Sequence, residues 1–468
     1  MFGTVELPVW LFTLIMLFAL VTFSSHFFIP PVRWFFRRRM EKAVEELNKR
    51  LQRPIQPFKL ARRHDTIQRL IYDPQVIAAV ARHAQETGVR EDVAFSEAKR
   101  YAREIVPSFS ASAYFGFAIR AARMISRLLF HVRLVREDEE ALAAVDPDAT
   151  VVYVMNHRSN MDYVLVTYLA ADRSALSYAV GEWARIWPLS WLFRAMGAYF
   201  IRRTSRNKLY RRVLARYVQL AVENGVTQAI FPEGGLSLTG RVGEAKLGLM
   251  SYIVQAGRES RRNVVFVPVA LNYDRVIEDR ILIEAGQSGE RQFRGSFLTG
   301  TAFALRWLGH RVTGRARRFG YAAVAFGTPL KLDDVMEASD GSVTGIAAHL
   351  MSSIRRHVPV LPVPMVAAAI QDGATSRAEI RSWVSARLPA WLEADVPVHL
   401  RRGSVQDSVD AGVDMLILRH LATQSGDGTL SPTAKGEPVI GFYAASLPLI
   451  ELPMRTTAPV CGDCPTEA

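Results

Sequence analysis

Short runs of β-branched and aromatic residues, separated by stretches of helical periodicity, constrain the fold of this chain more than any other feature. VVYVM from Val151, QAIFPEGG from Gln228, NVVFVPVALNY from Asn263 and YAAVAFGTPL from Tyr321 read as buried strands, because branched side chains pack well on a pleated surface that is covered on both faces. Between the first two, MDYVLVTYLA from Met161 reads as a helix. The alternation predicts an α/β fold with a central mixed, partly parallel sheet flanked by helices. In such folds the loops that bind ligand lie at the C-terminal ends of the strands. The expected organisation is a transmembrane anchor over 1–32, a helical N-terminal region over 33–125, a catalytic domain over 126–345 and a helical C-terminal region with a loose tail over 346–468.

From Leu7 to Ile29 no Asp, Glu, Lys or Arg occurs, and as a helix this stretch reaches roughly 34 Å, enough for one membrane crossing. Arg33, Arg37, Arg38 and Arg39 follow it and no basic side chain precedes it, which places the rest of the chain on the cytoplasmic side of the inner membrane. A helix lying on the bilayer is the alternative, because Ser24, Ser25 and His26 weaken its end. The balance of 58 Lys and Arg against 45 Asp and Glu, a net +13, calls for an anionic partner: a phosphorylated substrate, an acidic lipid surface or nucleic acid. The two cysteines, Cys461 and Cys464, form a lone CxxC at the C-terminus, which excludes a disulfide framework and a thiol nucleophile in the folded body. Neither GxxxxGK[ST] nor GxGxxG occurs, so nucleotide-dependent chemistry is unsupported.

Chemistry concentrates in three blocks. NHRSNMDY, Asn156 to Tyr163, follows a strand and opens a helix. His157 there can take a proton from an alcohol near neutral pH, and Asp162 can fix its tautomer and stabilise the imidazolium. The competing reading is a capping box, with Ser159 and Asp162 satisfying only helix-end amides. The second block, GAYFIRRT, places Arg202 and Arg203 after an apolar run; paired guanidiniums suit a phosphate, although a solvated strand end reads the same way. The third, FPEGGLSLTGR, ends a strand at Gly234 and Gly235 with Lys246 beyond, so that backbone amides can approach an anion; a plain glycine turn is the alternative.

These blocks, in this order and followed by VFVPVALNYD from Val265, closely resemble the membrane-bound glycerol-3-phosphate acyltransferase family of bacterial type, which is related to the mitochondrial and dihydroxyacetone-phosphate enzymes. The resemblance covers roughly residues 150–330. It implies a fatty acyl transfer from acyl-CoA or acyl-carrier protein to the 1-hydroxyl of glycerol 3-phosphate, with no metal or other cofactor. His157 would be the general base and Asp162 its orienting group. Arg158, Ser159, Arg202, Arg203, Glu233, Gly234, Gly235, Ser237, Arg241 and Lys246 would surround the substrate, and anionic membrane lipids would be partners; nucleic acid would not. Amides near Gly234 could also face the charge that develops on the thioester carbonyl.

One departure bears on the acceptor. Where the family commonly carries two arginines in the third block, this chain has Leu236 and Leu238, losing two charge-assisted contacts of about 1.5–3 kcal/mol each. Either Arg202, Arg203, Arg241 and Lys246 compensate, or the acceptor is lysophosphatidate or another lysolipid. Gly235-Leu-Ser237-Leu-Thr239 approaches a GxSxG elbow but lacks the last glycine, which disfavours a serine hydrolase. A non-catalytic lipid-binding protein accounts for the charge but not for a histidine–carboxylate pair. Two further segments suggest membrane or acyl-chain contact: the aromatic stretch with Trp183, Trp187, Trp191 and Phe193, and the basic segment Phe297 to Arg318.

Overall fold

A computed structural model describes residues 8–170, 173–181, 189–202, 205–289 and 318–448, with side chains at 21–37, 40 and 189 excepted. The chain divides into two compact units, Met1–Ile55 with Asp172–Ser174, and the remainder. In the first, helix α1 spans Val9–Asn48. The apolar stretch expected to form a separate anchor is therefore the opening of one 40-residue helix that runs on into the charged MEKAVEELN segment. Among the described residues no helix is long and apolar enough to cross a membrane; the side chains from position 21 to the end of that stretch lie outside the described ones.

After two short helices at Pro57–Leu60 and Arg63–Ile71, the second unit continues with helices α2 (Pro74–Thr87), α3 (Glu91–Ile105) and α4 (Ile119–Leu129). The ends of α2 are written into its sequence. The Asp73 carboxylate accepts from the Gln75 amide, Pro74 supplies a first position that needs no donor, and Gly88 closes the helix at φ +69°. Next come strands β1 (His131–Arg136) and β2 (Thr150–Met155), helix α5 (Met161–Leu169), strands β3 (Ser177–Val180) and β4 (Tyr199–Phe200), and helix α6 (Lys208–Glu223). Strand β5 (Gln228–Ile230), helix α7 (Leu247–Glu259), strand β6 (Val264–Tyr273) and helix α8 (Asp279–Ser288) follow, then strands β7 (Tyr321–Phe326) and β8 (Leu330–Lys331). The C-terminal part adds helices α9 (Val343–Arg356), α10 (Pro362–Gln371), α11 (Arg377–Glu393), α12 (Val405–Leu418) and α13 (Glu437–Ala444).

The main sheet runs in the order β1-β7-β6-β2-β5-β3-β4, with β8 beside β6. It is mixed and mostly parallel: β6, β2, β5, β3 and β4 run together, while β7 and β8 pair antiparallel to β6. Strand β2 thus lies between β5 and β6, and the loops leaving all three emerge at the same edge. That convergence is what positions the site.

Alternation along β2 divides the core. Val151, Tyr153 and Met155 face a cluster that includes Val267, Val324, Met365 and Val409, so the C-terminal helices share one core with the sheet. Val152 and Val154 face the opposite cluster with Val213, Met250 and Ile346. Each such valine, fully withdrawn from water, contributes roughly 1.5–3 kcal/mol.

At the end of β6 a buried carboxylate ties these layers together. Asp274 accepts from the amides of Tyr321 at 2.8 Å and Val363 at 2.9 Å. Burial pushes its carboxyl up to about 7, although both amides favour the charged form. The unfolded carboxyl titrates near its ordinary value, so between the two values the folded state binds the extra proton. This contribution is complete at acid pH and lost as pH rises through 7. Asp274→Ala is expected to lower stability by about 2–4 kcal/mol, because two buried amides lose their acceptor. It should also reduce the fall in melting temperature between pH 5 and 8, which thermal melts of both proteins measure.

Candidate active site

His157 sits in the loop leaving β2, 2 % exposed. Its Nδ1 lies 2.9 Å from Asp162 Oδ2, whereas Nε2 has no hydrogen-bond partner among the described residues. A carboxylate on Nδ1 favours the tautomer with a proton there, leaving Nε2 with the lone pair a base requires. The catalytic and capping readings turn out to be compatible. Asp162 Oδ2 also accepts from the amides of Arg158 at 2.7 Å and Ser159 at 3.0 Å, so one carboxylate closes the helix start and holds the ring. Its other oxygen accepts from the Tyr273 hydroxyl at 2.6 Å.

The loop is braced on both sides. From β5, the Glu233 carboxylate accepts from the His157 amide at 2.8 Å and the Gly243 amide at 3.0 Å. Burial raises its pKa, while those two amides and the neighbouring cationic groups oppose the shift. From the segment after β6, Glu278 accepts from the Ser159 hydroxyl at 2.8 Å and from the Asn160 amide at 3.2 Å. Below, the Asn156 side chain exchanges two hydrogen bonds with the backbone of Leu271, 2.8 and 3.0 Å long, locking β2 to β6. The Phe231 ring stacks on His157 at 4.2 Å, and the Tyr163 ring meets it edge-on at 5.5 Å.

Phe231 and Tyr163 also line a cavity of about 220 Å³ between α6 and α7. Its walls are apolar, with Ile201, Leu214, Ile230 and Met250, and its cations are Arg202, Arg211 and Lys246. Arg202 is held by a two-point pair with Glu104, at 2.8 and 2.6 Å, which fixes the plane of its guanidinium. The Lys246 stem crosses Gly234: a Cβ there, at φ +65°, would meet Lys246 Cδ at 2.8 Å, so glycine leaves the lysine its path to the cavity.

Several expected substrate contacts are placed elsewhere. The Arg158 side chain is buried, donates to the Gly240 carbonyl and lies over the Phe442 ring. With the Ser159 hydroxyl given to Glu278, both residues belong to the scaffold and neither lines the cavity. The Gly234 amide already donates to Phe231 O at 3.0 Å and is not open to an oxyanion; Gly235 is buried in the same turn. The Ser237 hydroxyl donates to Arg241 O at 2.6 Å and accepts from the Gly240 amide, so it stabilises a turn and is not poised as a nucleophile. Gly240, at φ +86°, has no room for a Cβ, which would strike the Phe442 carbonyl. Arg241 lines other clefts, beside Trp383 and Ala445, and does not compensate for the missing arginines at the cavity. Leu236 and Leu238 lean on the core. Trp191 is exposed and Phe193 packs on the core. Arg203, Trp183, Trp187, Cys461, Cys464 and all of Phe297 to Arg318 but its last residue lie outside the described residues.

Sequence reasoning gave no role to Tyr273, Glu278, Glu104 or Arg211. Tyr273 stood inside a recognised block and could have been singled out there. Glu104, 98 residues before Arg202, carried no local signal.

Residues 116–272 match the family model described as Acyltransferase, a stretch that includes the His157 loop and Glu233. More particularly, the chain is similar to glycerol-3-phosphate acyltransferases. It is 28% identical over 314 residues to that of Xanthomonas campestris pv. campestris, covering 66% of this chain and 34% of the relative. To that of Xylella fastidiosa strain M12 it is 30% identical over 316 residues, covering 66% and 35%. The chain thus spans about a third of the length of the curated relatives it matches. The crystal structure of the 1-acyl-sn-glycerophosphate (LPA) acyltransferase from Thermotoga maritima, 18% identical, covers 52% of this chain and 76% of its own at a TM-score of 0.32, too low to equate the folds.

Proposed function

We propose that the chain transfers a fatty acyl group from acyl-CoA or acyl-carrier protein to the 1-hydroxyl of glycerol 3-phosphate. The observation that carries this reading is a buried histidine whose Nδ1 is held 2.9 Å from a carboxylate while Nε2 has no hydrogen-bond partner among the described residues. Nε2 takes the proton of the acceptor hydroxyl as its oxygen attacks the thioester carbonyl, and Asp162 stabilises the imidazolium that forms. When the tetrahedral intermediate collapses, the C–S bond breaks and the imidazolium returns the proton to the departing thiolate. Arg202, Arg211 and Lys246, on the cavity beside Phe231, suit the acceptor phosphate. The net charge of +13 supports contact with anionic membrane lipids.

A second acceptor is favoured by two observations. The third block carries Leu236 and Leu238 where the family commonly has arginines, and the cavity walls are apolar. Both suit lysophosphatidate or another lysolipid, whose chain needs an apolar surface. Purified protein given a labelled acyl-CoA or acyl-carrier protein with each acceptor in turn decides between them. Phosphate-bearing product from glycerol 3-phosphate alone supports the first reading; acylation of lysophosphatidate alone supports the second, and acylation of neither refutes both.

A further inference from the structure

We infer that Tyr273 is a positioning residue for acyl transfer, its hydroxyl holding the Asp162 carboxylate in the orientation that presents His157 to the acceptor. This deepens the proposed function and rests on His157 being the base. Tyr273 is the last residue of β6, the strand beside β2, and is wholly buried. Its hydroxyl reaches Asp162 Oδ1 at 2.6 Å, while Oδ2 carries the imidazole and two amides. A buried hydroxyl is costly unless partnered, and this partner is the carboxylate. The backbone fixes the donor in turn: the Tyr273 amide donates to Asn272 Oδ1 at 2.9 Å, and the Phe130 ring packs on the phenol at 5.5 Å.

The same segment holds the loop a second time, because Glu278, five residues on, grips Ser159 and Asn160. Loop and base are thus registered to a core strand at two points, and only the Tyr273 contact acts on the carboxylate itself. Two consequences follow from that contact. Without the phenol, Oδ1 loses its one donor among the described residues and the carboxylate can turn about its Cβ–Cγ bond, misaligning the ring. The carboxylate charge is then shared among one donor fewer, so it interacts more strongly with the imidazolium that forms on His157. Burial and the adjacent Asp162 charge hold the phenol's own pKa well above its ordinary value, so it remains a donor across the working range.

The test is the pH dependence of kcat/KM for Tyr273→Phe, with thermal melts and with His157→Ala assayed in parallel. The phenylalanine variant is expected to lose about tenfold in kcat, with KM for both substrates nearly unchanged. Its acid limb should move up by roughly half to one pH unit. A residue that only supports packing would leave that limb where it is. Unchanged kcat and an unchanged limb overturn the inference. If Tyr273→Phe fails to fold, 3-fluorotyrosine at this position decides: a stronger donor should move the acid limb down, and an unmoved limb overturns the inference. Inactive His157→Ala beside an unaltered Tyr273→Phe refutes the positioning role alone. Full turnover by His157→Ala refutes the base as well and removes the inference with it.

Discussion

Asp162→Ala is expected to reduce kcat by roughly 10²–10⁴-fold and to lower stability by about 3–5 kcal/mol. Both effects come from one carboxylate that serves four donors: His157 Nδ1, the amides of Arg158 and Ser159, and the Tyr273 hydroxyl. Removing it leaves each donor in a site that is shut off from water, and the imidazole loses both its tautomer and its counter-charge. Asp162→Asn separates the two effects. It keeps the shape and one acceptor oxygen, so most stability should remain, yet its NH₂ opposes a donor and activity should stay low. Steady-state turnover and thermal melts of the two variants measure this directly. Full activity in either variant would mean that the carboxylate is only a helix cap.

Much of the fold was legible in the sequence because burial on both faces leaves a plain signature. The runs at Val151, Gln228, Asn263 and Tyr321 became β2, β5, β6 and β7. Strand β1, HVRLVR, was not singled out because its arginines and partial exposure give it no apolar run. Prolines clustered as in HVPVLPVPM usually interrupt helices, yet Pro362 occupies the first turn of α10, where a missing amide proton costs nothing. In the polar stretch near Gly426, Leu430–Pro432 pairs with Ala422–Gln424 in a two-stranded ribbon, held by backbone bonds that polar side chains do not announce.

At the site, legibility followed sequence distance. His157 and Asp162 are five residues apart, one in the loop after β2 and the other in the first turn of the helix it leads into, so their pairing could be anticipated. Glu233 stood in a recognised block, but its task is to join two loops through the amides of His157 and Gly243, which only the sheet order brings together. Arg158 shows the converse. A basic side chain beside the base suggests substrate contact, and instead the tightness of the loop turns it inward onto Gly240 and Phe442. The most buried cation among the described residues thus serves the scaffold, and the cavity draws its charge from Arg202, Arg211 and Lys246 on other elements.

Everything proposed for this protein requires Nε2 of one imidazole to accept the acceptor's proton. Turnover of labelled acyl thioester by His157→Ala at saturating acceptor, on protein whose melting temperature matches the wild type, tests this most directly. A loss of about 10² or more in kcat is the predicted result. Turnover within a few-fold of wild type would contradict it.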